Sequence, residues 1–505
     1  MNHGTKVISN TGILYIRIFF TICISLFSTR WILQALGHED FGLYNLIAGV
    51  ISLFSFLNIA MSASTQRFLS YSIGEKNSSV LSDIFYYSLV LHFITGVIII
   101  ILFEIGGYIL IKFYLIIPSH KIYLAFFILH CLTICSFITI ITVPFNATLN
   151  AHEDIKVFAF ANIIDSLLKF CLAWFLLYYA GNRLKLYAIL IILITLLSSS
   201  IIIIYCKRHY NEVNFYFRPI TNYNYFKQIT AYSFWIILGA ICGIGRGQGI
   251  AILLNSFFGV TINAAYGITN QVNNQVSFFS GTILRAIRPQ IISSEGSGNR
   301  ERMIRLSYTA CKFSFILLSL IIIPLYIHLE YILKLWLNDV PQYTISFCRL
   351  ILIVTLINQI TAGLFIANES IGKIKYYQIA TSLLDLLILP IGYILLKYNY
   401  PPQSVFWGLI FIEIISIFVR CKITHYTLKR KSFLYITNTL IPSLIIISIS
   451  FILCIYISSQ FNENIFMVFA TVIINALCIF SLSYYKGMTI YEKQAITQYI
   501  KKIKL

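Results

Sequence analysis

Trp31-Ile32-Leu33-Gln34-Ala35-Leu36, then Gly37-His38-Glu39-Asp40-Phe41-Gly42, then Leu43 to Ala63: two apolar runs meet at a short acidic corner. The reading of this stretch decides the fold. Upstream, the first run reaches back towards Thr5. Downstream, the second ends in Ser64-Thr65-Gln66-Arg67-Phe68 and then Gly74-Glu75-Lys76-Asn77. Each run is long enough to cross a bilayer, which takes about 20 residues as a helix. Arg17 and Arg30 lie inside the first run. An arginine at the bilayer centre costs about 2.5–3.5 kcal/mol on insertion scales. A chain keeps such a residue where it meets a wet cavity or a partner.

The rest of the chain agrees with two such helices. Of 505 residues, 58% are apolar and only 11% are charged, against about 25% charged in a soluble domain. The fold class is therefore all-α, a polytopic membrane protein. The first run is too long for a signal-peptide core and has no small-x-small cleavage pattern, so it stays as a span. A net charge of +19 would point to nucleic acid in a soluble protein. Here it fits the collection of Lys and Arg in cytoplasmic loops, and no nucleic-acid partner is expected. The eleven cysteines are scattered, with no C-x-x-C. Cys131 and Cys135 lie one turn apart without further ligands. They read as small core residues, and no metal is expected.

About fourteen transmembrane helices are predicted, at 10–36, 42–66, 84–104, 122–147, 156–180, 184–206, 229–258, 264–288, 306–328, 344–367, 377–397, 404–425, 433–456 and 464–485. With the N-terminus inside, and with basic residues near a span end counted with the adjoining segment, 26 of the 37 Lys and Arg fall in inner segments, 6 in outer ones and 5 deeper within spans. That bias fits both termini in the cytoplasm. An internal repeat appears when the opening is slid by 222 residues. Gly37 then meets Gly259, Tyr44 meets Tyr266, Val50 meets Val272, Gly74 meets Gly296 and Asn77 meets Asn299. The offset equals six spans, so the copies share one orientation. The predicted plan is two parallel six-helix bundles, 1–206 and 229–430, joined by a cytoplasmic linker at 207–228. Two additional helices and a basic tail follow at 431–505. A site is expected between repeats near the midplane.

The charged and polar residues inside spans are the candidates for function. Arg246 sits among five glycines, Gly239, Gly243, Gly245, Gly247 and Gly249. Their spacing suits close helix packing, or a helix loosened beside a cavity. Arg17, Arg30 and Arg246 place positive charge on the first helices of the two halves, which suits an anion; snorkelling to an interface is the competing reading. Asp165 and Lys169 are four apart and pair on one helix face. They are a structural ion pair, or one that an anionic ligand opens. Asp385 and Glu413 are lone acids in later spans, able to take a coupling proton or cation, or to face each other through water. Asn270, Asn273 and Asn274 fall on one face of span eight. Amides of that kind hold sugar hydroxyls or glue helices together. No catalytic motif, Walker lysine or cofactor signature is present, so neither an enzyme nor a bound cofactor is expected.

The Leu-Gly-x-Glu-Asp-Phe-Gly-Leu-Tyr corner at 36–44, the run at 64–74 and the doubled six-helix plan resemble Wzx-type polysaccharide flippases. These belong to the same superfamily as multidrug and toxin extruders. The resemblance implies an alternating-access transporter of the bacterial cytoplasmic membrane. Its cargo would be an undecaprenyl-pyrophosphate-linked oligosaccharide, bound in a cationic cavity for which Arg17, Arg30, Lys169 and Arg246 are candidates. Membrane lipids and the glycan polymerase and chain-length proteins would be its partners. Arginine forks suit phosphate oxygens. The alternative is a cation-coupled multidrug exporter. A membrane glycan polymerase or ligase would need a large catalytic outer loop, and the outer connections are short.

Overall fold

The computed structural model describes residues 3–52, 55–115, 117–213, 223–337, 340–429, 435–488 and 492–493. Within them the chain is helical, as expected: α1 (His3–Ser52), α2 (Ser55–Glu75), α3 (Ser78–Ile109), α4 (Ile122–Ala151), α5 (Ile155–Tyr178), α6 (Arg183–His209) and α7 (Tyr223–Gly296). Then come α8 (Arg300–Ile327), α9 (Leu329–Leu337), α10 (Thr344–Ile360), α11 (Ala362–Ile371), α12 (Ile374–Lys397), α13 (Ser404–Leu428), α14 (Ile441–Ser459) and α15 (Ile465–Leu482). Twelve stretches among the described residues are long and apolar enough to span a membrane, not the fourteen expected. The two missing from the expected set are 42–66 and 264–288. Residues 53–54 of the first lie outside the described residues. The second is helical but carries the amide row, which lowers its hydropathy. Of the linker expected at 207–228, residues 214–222 lie outside the described residues, as does most of the tail beyond Met488.

The chain divides into two compact units, Ser9–Ile237 and one formed chiefly by Leu238–Leu505. In the first unit α4 is central and packs on α2, α3 and α6. Ile128, Leu129 and Leu132 of α4 meet Leu172 and Leu176 of α5 and Ile191 of α6 in one buried cluster. In the second unit α8 packs on α10 and α11, and α13 on α10 and α12. Phe347 and Phe406 stack at its centre with ring centroids 4.5 Å apart.

The acidic corner has a mechanical job. α1 breaks at Gly37 (φ 75°, ψ 172°), a region of backbone space essentially reserved for glycine. Arg183 Nη1 donates to the Ala35 carbonyl at 2.9 Å just before the break. Lys121 Nζ reaches Glu39 at 2.6 Å and Asp40 at 2.7 Å just after it. The hydrogen bond from Lys121 holds the Glu39 carboxyl below the usual carboxylate range.

The 222-residue repeat is visible in the backbone. Gly259 breaks α7 with φ 78° and ψ −170°, matching Gly37. Lys76 and Gly298, also 222 apart, both have positive φ. Asn77 and Asn299 then cap α3 and α8, each accepting from the amide three residues on.

The last two helices are pinned to α8 by polar contacts. Pro324 of α8 has no N–H, which leaves the Leu320 carbonyl without its helical donor. Asn475 Nδ2 of α15 donates to that carbonyl at 3.1 Å. Asn475 Oδ1 in turn accepts from Ser450 of α14 at 2.7 Å. His328 Nε2 meets Thr471 Oγ1 at 2.9 Å, and the buried Lys312 Nζ donates to the Gly487 carbonyl at 2.9 Å.

A Cβ at Gly37 or Gly259 would touch nothing within 4 Å, so substitution there tests conformation alone. Gly37→Ala and Gly259→Ala should each cost about 1–3 kcal/mol, read as lowered thermal stability in detergent. Unchanged unfolding in both would show that the breaks are not held in this conformation.

Candidate functional site

Arg246 lies on α7, and its partners come from α12 and α13. Its Nη1 donates to Asp385 Oδ1 at 2.7 Å and to Glu413 Oε1 at 3.0 Å. Glu413 is 1% exposed. Its other oxygen accepts from Arg420 Nη2 at 3.3 Å. Arg420 Nη1 goes on to Asn358 Oδ1 at 2.8 Å and Thr361 Oγ1 at 2.9 Å. Two guanidinium and two carboxylate groups thus form one chain across three helices. Separately, each would carry the full desolvation cost of a charge in an apolar medium; balanced and hydrogen-bonded, they largely offset it.

The chain ends where a membrane helix is broken. α10 stops at Ile360 and α11 starts at Ala362, with Thr361 at φ −105° and ψ 7° between them. The Tyr435 hydroxyl donates to the Ile360 carbonyl, and Arg420 holds the Thr361 side chain. Irregular backbone at membrane depth survives only where it is buried in protein or lines a cavity. Thr361 does line one. A cavity of about 410 Å³ opens there, walled by Arg285, Arg288, Arg420, Asp385, Asn358 and Gln378 among others. Arg288 is tied to Glu369, which is fully buried, through Nε at 2.8 Å and a second bond from Nη2. Arg285 is exposed and has no hydrogen bond or ion pair among the described residues. The uncompensated charge on this cavity wall is therefore positive.

The sequence candidates fall into separate places. Arg246, Asp385 and Glu413 come together, and reading the two acids as lone is corrected: they share one guanidinium. Arg246 is engaged by both rather than presenting an open fork to an anion. Of the glycines beside it, Gly239 and Gly249 face Gln378 and Leu389 of α12, where a Cβ would collide, while Gly243 and Gly247 meet nothing within 4 Å. The packing role thus holds for two of the five. Lys169 pairs with Asp165 at 2.7 Å on α5 in the other unit. Arg17 is 8% exposed and stacks over Phe158, 5.2 Å from the ring centroid. Arg30 is exposed, with no hydrogen bond or ion pair among the described residues.

The three amides differ in their surroundings. Asn273 accepts from Thr355, Asn270 is half-buried and Asn274 exposed, and none of them lines the cavity. Arg285, Arg288, Arg420 and Glu369 were not among the sequence candidates. The three arginines count as inner-edge charges by the loop rule. The signal that could have found them is Glu369, an acid in the apolar run 362–371 that needs a cationic partner.

A MatE family model matches residues 14–175. The solved structure of a MATE protein in its straight conformation superposes with a TM-score of 0.72 at 16% identity, covering 85% of this chain and 98% of that one. The fold is that of MATE transporters. A multidrug resistance MATE family transporter of the MOP superfamily, in its outward-facing conformation, gives a TM-score of 0.71 at 15% identity, covering 85% and 96%. A MOP superfamily transporter from Pyrococcus furiosus, for which reversed polarity of the binding pocket suggests a different function, gives 0.72 at 15% identity over the same shares. No curated protein matches the chain.

Glu413 is the member of the network with two cationic neighbours. Glu413→Gln should cost about 3–5 kcal/mol, because it leaves charge buried without its partner. Asp385→Asn should cost less, since Arg246 keeps Glu413. Thermal unfolding of the purified variants orders the two, and the reverse order would remove Glu413 from the centre of the network.

Proposed function

We propose that the chain is an alternating-access exporter of the bacterial cytoplasmic membrane, coupled to a cation at the Arg246–Asp385–Glu413 cluster. The observation that carries this reading is the position of Asp385. Its carboxylate is both part of the cavity wall and bound to Arg246. A proton or metal cation arriving from the cavity neutralises Asp385 and weakens its bond to Arg246. Glu413 alone then balances two arginines, and the ionic tie between α12 and α7 is lost while their apolar packing remains. A cation that binds one packing of these helices better than another shifts the population between them, by no more than its difference in affinity. The MatE match and the MATE fold support this multidrug-type reading better than a flippase. The excess of Lys and Arg in the segments read as inner supports both termini in the cytoplasm.

A second reading keeps its own observation. Arg285, Arg288 and Arg420 surround the cavity with Asp385 as the acid in its wall. Such a wall favours an anionic head, as in a pyrophosphate-linked oligosaccharide, and supports the flippase. On either reading the chain is a carrier, with no catalytic set proposed.

The two separate by experiment. In proteoliposomes, an imposed proton or sodium gradient should drive export of a lipophilic cationic dye, and Asp385→Asn should slow it at least about tenfold, the equivalent of roughly 1.4 kcal/mol. Dye flux indifferent to every gradient, with lipid-linked oligosaccharide accumulating in a deletion strain, would replace the exporter by the flippase.

A further inference from the structure

A second cavity is larger than the one beside the charge cluster. It is a slot of about 470 Å³ between α13 and the stretch 436–444, a helical turn (Ile436–Leu440) that leads into α14. Its walls are apolar, with Ile414, Ile417 and Phe418 from α13 facing Ile436, Leu440 and Leu444. Polar groups gather at one end only, where Lys422, His425 and Tyr426 form the rim. Lys422 is exposed and has no ion pair or hydrogen bond among the described residues. The same end of α13 continues into Lys429, Arg430 and Lys431 in the sequence.

The dimensions match one leaflet. From Ile414 to His425 is 11 residues, roughly 16 Å along a helix, and half the hydrocarbon core is roughly 15 Å. A drug-like cation would meet Lys422 at the slot's polar end, so charge opposes it. An anionic head with an apolar tail meets the complementary pattern along the whole length. Basic pockets between membrane helices take anionic lipid head groups on this principle. Arg246, Asp385 and Glu413 do not line the slot.

We propose that this slot is a binding site for an anionic glycerophospholipid, with one acyl chain between α13 and α14 and the phosphate at Lys422 and His425. The bound lipid fills the seam between α13 and the terminal helix pair.

Native mass spectrometry of the full chain in mild detergent tests this without any transport step, so it stands or falls apart from the exporter reading. Phosphatidylglycerol should be retained about fivefold better than phosphatidylcholine with the same chains, the factor expected of one lysine at an anionic surface. Lys422→Gln should abolish that preference while leaving chain binding in place. Ile417→Trp, which fills the slot, should reduce retention of both lipids. If Ile417→Trp fails to fold, the preference lost in Lys422→Gln decides. Equal retention of the two lipids by the unmodified chain would overturn the proposal. So would an unchanged preference in Lys422→Gln, or a lipid-free dimer showing that a second copy covers the slot.

Discussion

A single buried carboxylate between two arginines organises the second unit. Glu413 is the bridge through which Arg246 on α7 and Arg420 on α13 tolerate the membrane. Remove its charge and Arg420 loses its carboxylate partner, while Arg246 is left with Asp385 alone. Arg420 is in turn the donor that holds Asn358 and Thr361 where α10 gives way to α11. The break in that membrane helix, the cavity beside it and the tie to α12 through Asp385 therefore rest on one ion-pair chain. The packing of phenylalanines and isoleucines around it sets the distances, but the charges set which helices must stay together.

That dependence separates two kinds of polar group in the bilayer. Arg246, Arg288 and Arg420 are held by acids and amides, and their positions follow from that neutralisation. Arg285 shares the cavity wall with Arg288 and Arg420 and has no such partner among the described residues. A wall with paired charge and one unpaired arginine can respond to what enters it. Neutralising Asp385 shifts the balance one way, and an anion at Arg285 shifts it the other. Both transport readings draw on the same few residues for this reason.

Much of the architecture was legible in the chain itself. Apolar length gave the helices. The Gly-x-Glu-Asp-x-Gly corner marked a break that the backbone places at Gly37, and the 222-residue slide landed on a second break at Gly259 and on matching caps at Asn77 and Asn299. The acids of the corner were readable as a turn, although not as the grip of Lys121 from 81 residues away. The site was less legible. Arg246, Asp385 and Glu413 were each visible as costly charges, but their meeting spans 139 and 167 residues and no local period records it. Arg285, Arg288 and Arg420 were hidden for a different reason. A rule that counts basic residues near helix ends assigns them to topology, and only the folded backbone shows that they surround a space. The amides of 269–275 share a helix face by period, but their partners, such as Thr355 of α10 for Asn273, come only from the fold.

The contact between Asn475 and the Leu320 carbonyl makes the terminal pair a repair as well as an extension. Pro324 opens a hole in the α8 hydrogen-bond ladder, and α15 supplies the missing donor. Truncation after α13 would strand that carbonyl in oil, so a shortened chain would need a second change, at residue 324, to close the ladder again.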